Sequence, residues 1–206
     1  MSRGSVGAVL GLLLMICLSA CVSTPPKPEA SFISSATEWF ESERNWKASG
    51  RVALSDESSG GQMSISWEEI AGRGSVSLRT RFGGQWWRLS YGETPVRLES
   101  HEGGIVLGDS AESLVSEATG WPIPVGALRH WIRGLPGPSD QDLEWDDQGR
   151  LRSLTHQGWT VLVSDYAATS HPTGVSIMLP RRFEIARPPY RIRVALRRWE
   201  WPKSSS

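Results

Sequence analysis

Cysteine is nearly missing from this chain. Its 206 residues include two, Cys17 and Cys21. Both lie too near the N-terminus to staple a fold, and no cluster of thiols is left to hold a metal. Net charge is missing as well: 22 basic residues balance 22 acidic ones. That removes the overall basicity by which a nucleic-acid binder is read. The histidines His101, His130, His156 and His171 are scattered and share no motif. The HExxH, GxSxG and P-loop patterns do not occur. Asp146-Asp147 falls in a predicted turn, where paired acids are solvated. Ser164-Asp165 with His171 lacks the nucleophile elbow that a triad needs. Catalysis, metal binding and nucleotide hydrolysis therefore have no residues to carry them. No apolar run reaches the roughly 20 residues of a comfortable membrane span.

What is present starts at the N-terminus. Arg3 precedes an apolar run from Val6 to Leu18, and small residues follow in Leu18-Ser19-Ala20-Cys21. A basic start, a short apolar core and small residues before a cut are the plan of a secretory leader. A cysteine directly after the cut is the site at which a bacterial export pathway attaches lipid. Residues 1–20 are therefore predicted to be a signal peptide, with the mature chain beginning at lipidated Cys21. One acyl chain holds only marginally and two or more hold firmly. From Val22 to Ser31 the composition is proline, lysine and small polar residues, an extended tether that need not fold. Removing the leader leaves 186 residues, enough for one domain with a real core over 32–206. With Cys17 lost and Cys21 occupied, that domain rests on packing alone. Eleven tryptophans are available to build it.

The hydrophobic period in the domain is mostly two. A short helix is expected over 35–43, with Trp39 and Phe40 as its apolar edge. Alternation then predicts strands at 46–54, 62–67, 75–80, 86–91, 96–100 and 105–107, separated by polar or glycine turns. Such short connections fit antiparallel neighbours, since parallel pairs need long crossovers. The period changes over 109–119, where Asp109 with Glu112 reads as a capping box. A second helix follows over 125–132. Strands resume at 140–146, 151–157, 160–166, 175–179 and 191–199. Pro180, Pro188 and Pro189 are expected outside central strands. Trp199 falls in the arginine phase of the last strand, which predicts a bulge nearby. The fold class is mostly β with helices: about eleven antiparallel strands in a sheet long enough to curl. The helices are candidates for a lid over its hollow side. The pattern does not decide whether that hollow is filled by side chains or left as an apolar cavity.

One turn is unusual. Thr80-Arg81-Phe82-Gly83-Gly84 places a large aromatic where small polar residues are the rule. Phe82 either folds back to cap its own core or projects as an apolar tip toward a membrane or partner. Arg79, Arg81 and Arg88 nearby suit anionic headgroups.

The chain resembles the LolB family of outer-membrane lipoprotein receptors. The resemblance rests on the order and spacing of several segments. They are Leu18 to Cys21, the first strand around Trp46, Gly50 and Arg51, and Trp67. The most specific is Gly120-Trp121-Pro122-Ile123-Pro124 with Leu128, Trp131 and Gly134-Leu135-Pro136. Gly158-Trp159, Tyr166, Leu179-Pro180 and Trp199 complete the set. The resemblance implies an unclosed antiparallel β-barrel with helices covering an apolar cavity. It implies acceptance of lipoprotein acyl chains from a periplasmic LolA-like carrier and their insertion into outer-membrane phospholipid, without ATP, cofactor or catalysis, by a monomer. Val22, where retained lipoproteins typically carry Asp, favours the outer membrane on the same ground. Family members carry a protruding apolar residue, usually leucine, between the third and fourth strands. Phe82 and Gly83 occupy that loop here, with Arg81 in place of the usual proline. Expected cavity-lining residues are Trp67, Leu78, Leu89, Leu114, Trp131 and Ile192. Arg51, Arg79 and Arg88 are expected to meet an acidic carrier. The competing expectation is a general lipid- or glycolipid-binding envelope lipoprotein without a sorting role.

Overall fold

The structure, a computed structural model, describes residues 31–82 and 84–202, with backbone alone for 31–35. The leader 1–20, Cys21, the tether up to residue 30 and Gly83 lie outside the described residues. Helix α1 (Ser31–Ser42) leads into six strands: β1 (Trp46–Ser55), β2 (Gly60–Ile70), β3 (Arg73–Thr80), β4 (Trp86–Tyr91), β5 (Val96–Ser100) and β6 (Ile105–Gly108). Helices α2 (Ala111–Thr119) and α3 (Val125–Trp131) follow. Then come β7 (Gln141–Trp145), β8 (Leu151–His156), β9 (Trp159–Ser170), β10 (Ser176–Arg187) and β11 (Tyr190–Glu200).

All eleven strands form one antiparallel sheet in the order β6-β5-β4-β3-β2-β1-β11-β10-β9-β8-β7. The chain builds outward from β1 in one direction. After the helices it returns at the far edge and closes back onto β1 through β11. Edges β6 and β7 do not meet, so the half-barrel stays open, as the family resemblance implies.

The β1–β11 pairing carries the bulge expected near Trp199. Its register shifts between Ser49 and Gly50, which leaves Arg197 and Arg198 both exposed and returns Trp199 to the core side. Gly50 permits this, because a Cβ there would overlap the backbone oxygen of Ala195. One expectation fails. Pro180 sits inside β10, which lies between β9 and β11. Two opposed register shifts flank it: Pro180 pairs with Tyr166, Arg182 with Asp165 and Phe183 with Val163. The ladder to β11 starts only at Arg182. Proline is thus placed where one neighbour is not yet paired and the other is bulged. The strand regains its inward phase at Phe183 and Ile185.

The helix caps also differ from expectation. Ser110, not Asp109, caps α2, its Oγ accepting from the Ser113 N–H at 3.1 Å. Glu112 instead accepts from the Gly126 N–H of α3 at 2.7 Å. It serves an orphan donor at a helix start where Pro124 supplies no side-chain cap.

Two apolar clusters lie on the hollow side. The larger joins α1, α3 and the strands around β1 through Phe40, Trp46, Trp67, Trp131, Trp159 and Phe183. The smaller lies under α2 and holds Leu89, Val96, Leu98, Ala111, Leu114 and Val125.

Candidate functional site

A cavity of about 290 Å³ lies between the sheet and the α2–α3 lid. Its wall draws on both clusters. The inward phases of β1 to β5 supply Val52, Ile65, Trp67, Leu78, Leu89 and Leu98, and β10 and β11 supply Phe183, Ile185 and Ile192. The lid contributes Val115, Trp121, Ile123, Leu128 and Trp131. Thr119 is the one lining residue with a polar side-chain oxygen, apart from the indole N–H groups. A space of this size at the small end of ligand pockets, walled by hydrocarbon and aromatic rings, suits an aliphatic chain.

Of the predicted lining residues, Trp67, Leu78, Leu89, Trp131 and Ile192 face this space. Leu114 does not. It is buried in the smaller cluster, against Gly108, where a Cβ would press into its side chain. Its neighbour Val115 takes the cavity position.

A buried polar group ties the lid to the sheet. Glu69 on β2 is 2 % exposed. Arg129 on α3 pairs with it, Nη2 donating to Oε2 at 2.9 Å while Nε faces Oε1. The Tyr91 hydroxyl donates to Glu69 Oε1 at 2.7 Å, and Trp67 Nε1 donates to the Tyr91 oxygen at 2.7 Å. Gly74 leaves room for the Tyr91 ring, which a Cβ there would strike. Burial, reinforced by the Glu69 charge, pushes the Tyr91 hydroxyl far up, so it stays a donor. Burial opposes the Arg129 charge, yet the hydrogen bond to Glu69 holds its pKa above the usual value. Sequence reasoning missed this group, although the signal existed. Glu69 stands in the inward phase with Ile65 and Trp67, and an inward carboxylate calls for a partner.

His130, the next residue on α3, is half-buried. Burial, then Arg133 and Arg129, lower its pKa below the usual histidine value, against the pull of Asp140 and Glu69. A depressed folded-state value means the unfolded chain takes the proton first. The group costs nothing above the unfolded value and destabilises the fold as pH drops below about 6.5. His130→Gln is expected to flatten that acid-side loss. Urea midpoints across a pH series measure it.

The turn between β3 and β4 places Phe82 outward. The ring is 81 % exposed, with the Arg81 guanidinium 5.5 Å from its centroid. Thr80 holds the base of the turn, its Oγ1 donating to the Phe82 carbonyl at 2.8 Å and its N–H to Gln85 at 3.0 Å. Phe82 therefore projects and caps no core of its own. The neighbouring Leu78 and Trp87 line the cavity, so the tip stands beside one end of the hollow.

The three arginines lie on the opposite, outer face. Arg51 and Arg79 share one cross-strand row through Ser64. Arg88 lies two strands further along than Ser66, and its Nε donates to Ser77 Oγ at 3.3 Å. A shallow groove of about 370 Å³ beside Arg51 also takes in Gln62, Arg182, Glu184 and Arg193. Among the described residues, no three His, Cys, Asp or Glu side chains converge on a metal-sized site. No described helix is long and apolar enough to cross a membrane.

A curled antiparallel sheet, a helical lid and an apolar hollow between them define a protein built to hold hydrocarbon. The comparisons with known proteins give the particular family. The family model described as "Outer membrane lipoprotein LolB" matches residues 44–199, and the chain belongs to that family. An outer-membrane lipoprotein LolB of Alkalilimnicola ehrlichii is 35 % identical over 97 % of this chain and 98 % of its own length. One of Xanthomonas euvesicatoria is 32 % identical with the same coverage. One of Xylella fastidiosa is 35 % identical over 79 % of this chain and 74 % of its own. A solved DUF1329 family protein of Desulfovibrio piger aligns with 87 % of this chain and 95 % of its own at 7 % identity and a TM-score of 0.48, a likeness too distant to carry an argument.

Proposed function

We propose that this chain is the outer-membrane acceptor of lipoproteins, taking their acyl chains from a periplasmic LolA-like carrier and placing them in the bilayer. The observation that carries the reading is the hydrocarbon-walled hollow under the α2–α3 lid. Transfer makes and breaks no covalent bond. Each methylene moved from water to an apolar site is worth about 0.8 kcal/mol, so small differences in burial along a chain of acceptors set the direction of travel. Cys21 anchors the chain by lipid, and the segment before helix α1 is the tether that lets the domain reach both carrier and bilayer. Phe82, with Gly83, enters the bilayer at the moment of release. Arg51, Arg79 and Arg88 form the outer surface that meets an acidic carrier, where complementary charge speeds encounter.

A handover assay tests the reading. Carrier loaded with labelled lipoprotein is mixed with a mature chain whose anchor is removed by Cys21→Ala. Label is expected to move to the acceptor without nucleotide. An acceptor that binds free acylated peptide yet takes nothing from the carrier would be a general lipid binder instead.

A further inference from the structure

The two free edges of the sheet are treated differently. At one edge, β7 is disrupted by two register irregularities against β8. It also carries Asp142 and Glu144, and Asp142 is in a left-handed conformation at φ 49°. Bulges and charges are how a sheet protects an open edge from pairing. The other edge, β6, has none of these. Its residues Ile105, Val106 and Leu107 are 55 %, 50 % and 57 % exposed, and its pairing to β5 runs without a shift. Ile105 lies across from Glu99 and Leu107 from Arg97 on the outer face, whereas Val106 lies across from Leu98. Leu98 lines the cavity. Cross-strand partners share a face, so Val106 lies half exposed at the edge of the sheet, on the same face as the cavity-lining Leu98.

We propose that β6 is the seat of the cargo's own backbone: the extended peptide that follows an acylated cysteine pairs with β6 as a twelfth strand. This rests on the reading of the cavity as the acyl-chain site. A strand added at β6 has alternate side chains on the hollow side, next to Val106. An acylated residue in that phase sends its chains past Val106 and Leu98 into the cavity. The absence of charge on Ile105–Leu107 places no demand on cargo sequence. Main-chain pairing supplies affinity without side-chain readout, which suits a receptor whose cargoes share an acylated terminus and little else.

The test uses tripalmitoylated cysteinyl hexapeptides as probes, with palmitate as control. Two N-methylated versions are compared with the parent. One is methylated at peptide positions 2 and 4, the other at 3 and 5. A paired strand turns only one phase of its N–H groups toward its neighbour. One version is therefore expected to bind about tenfold more weakly and the other within about twofold of the parent. Amide exchange at Ile105–Leu107 is expected to slow with the parent peptide and not with palmitate. Equal affinities for the two methylated versions, or no slowing at β6, would overturn the proposal while leaving the cavity reading intact. Failure of palmitate and peptide alike to bind would instead remove the cavity reading. Slowing at β6 that depends on protein concentration alone would assign the edge to a second copy and overturn the cargo assignment.

Discussion

Phe82→Glu is expected to leave acceptance from the carrier unchanged and to cut delivery into liposomes by tenfold or more. The two steps separate because Phe82 stands outside the cavity wall. Phe82 stands largely exposed, and the turn beneath it is held by Thr80 rather than by the ring. Removing it takes no support from the core. Burial of an aromatic side chain is worth about 1.5–3 kcal/mol, which is lost on substitution. A carboxylate adds the cost of placing charge in the bilayer and repulsion from anionic lipid. Phe82→Leu is expected to deliver normally, since apolarity at the tip is what matters. The measurement is label transferred first to the acceptor and then to liposomes. Loss of acceptance in the Glu variant would show that the tip belongs to the cavity or its packing.

Glu69→Ala is expected to lower stability by about 3 kcal/mol, because breaking a buried ion pair leaves the partner charge uncompensated. The lower end of the usual range applies, since the Arg129 side chain is about one-third exposed and recovers some hydration. The Tyr91 hydroxyl loses its acceptor as well. For a domain of this size the change corresponds to a fall in Tm of about 6–12 °C. Glu69→Leu combined with Arg129→Met is expected to recover most of the loss, as apolar replacements of a whole buried pair commonly do. A double-mutant cycle isolates the coupling. If the losses of the single variants Glu69→Leu and Arg129→Met sum to the loss of the double variant, the pair contributes no coupling, and the lid is held by packing alone.

The eleven strands were legible because period-two alternation survives in nearly all of them, and short glycine or polar turns separate them. Sequence alone ends the strand of β10 at Leu179, because proline in isolation forbids a central position. The paired bulges that make room for it are set by β9 and β11, which no local window contains. The α2 cap was misplaced by one residue, as Asp109 and Ser110 are both good capping types. Leu114 and Val115 form one apolar stripe in sequence. About 100° of helix rotation separates them, and the packing of Gly108 against Leu114 decides which one reaches the cavity. The outward set of Phe82 was open on residue type alone. The Thr80–Gln85 contact closes the turn below it, and the ring stands outside that closure.

The division of the interior into two clusters has a consequence for how cargo is held. The cavity takes its wall from both, with Leu89, Leu98 and Val125 from the smaller and Trp67, Trp131 and Phe183 from the larger. The polypeptide by itself leaves a seam there. Lipid tails lying in that seam bridge two halves that touch each other incompletely, and for as long as they stay they serve as part of the protein's own interior. Occupancy then favours the folded state by mass action. Giving the tails up to the bilayer returns the molecule to its less complete form, ready to be completed again by the next passenger.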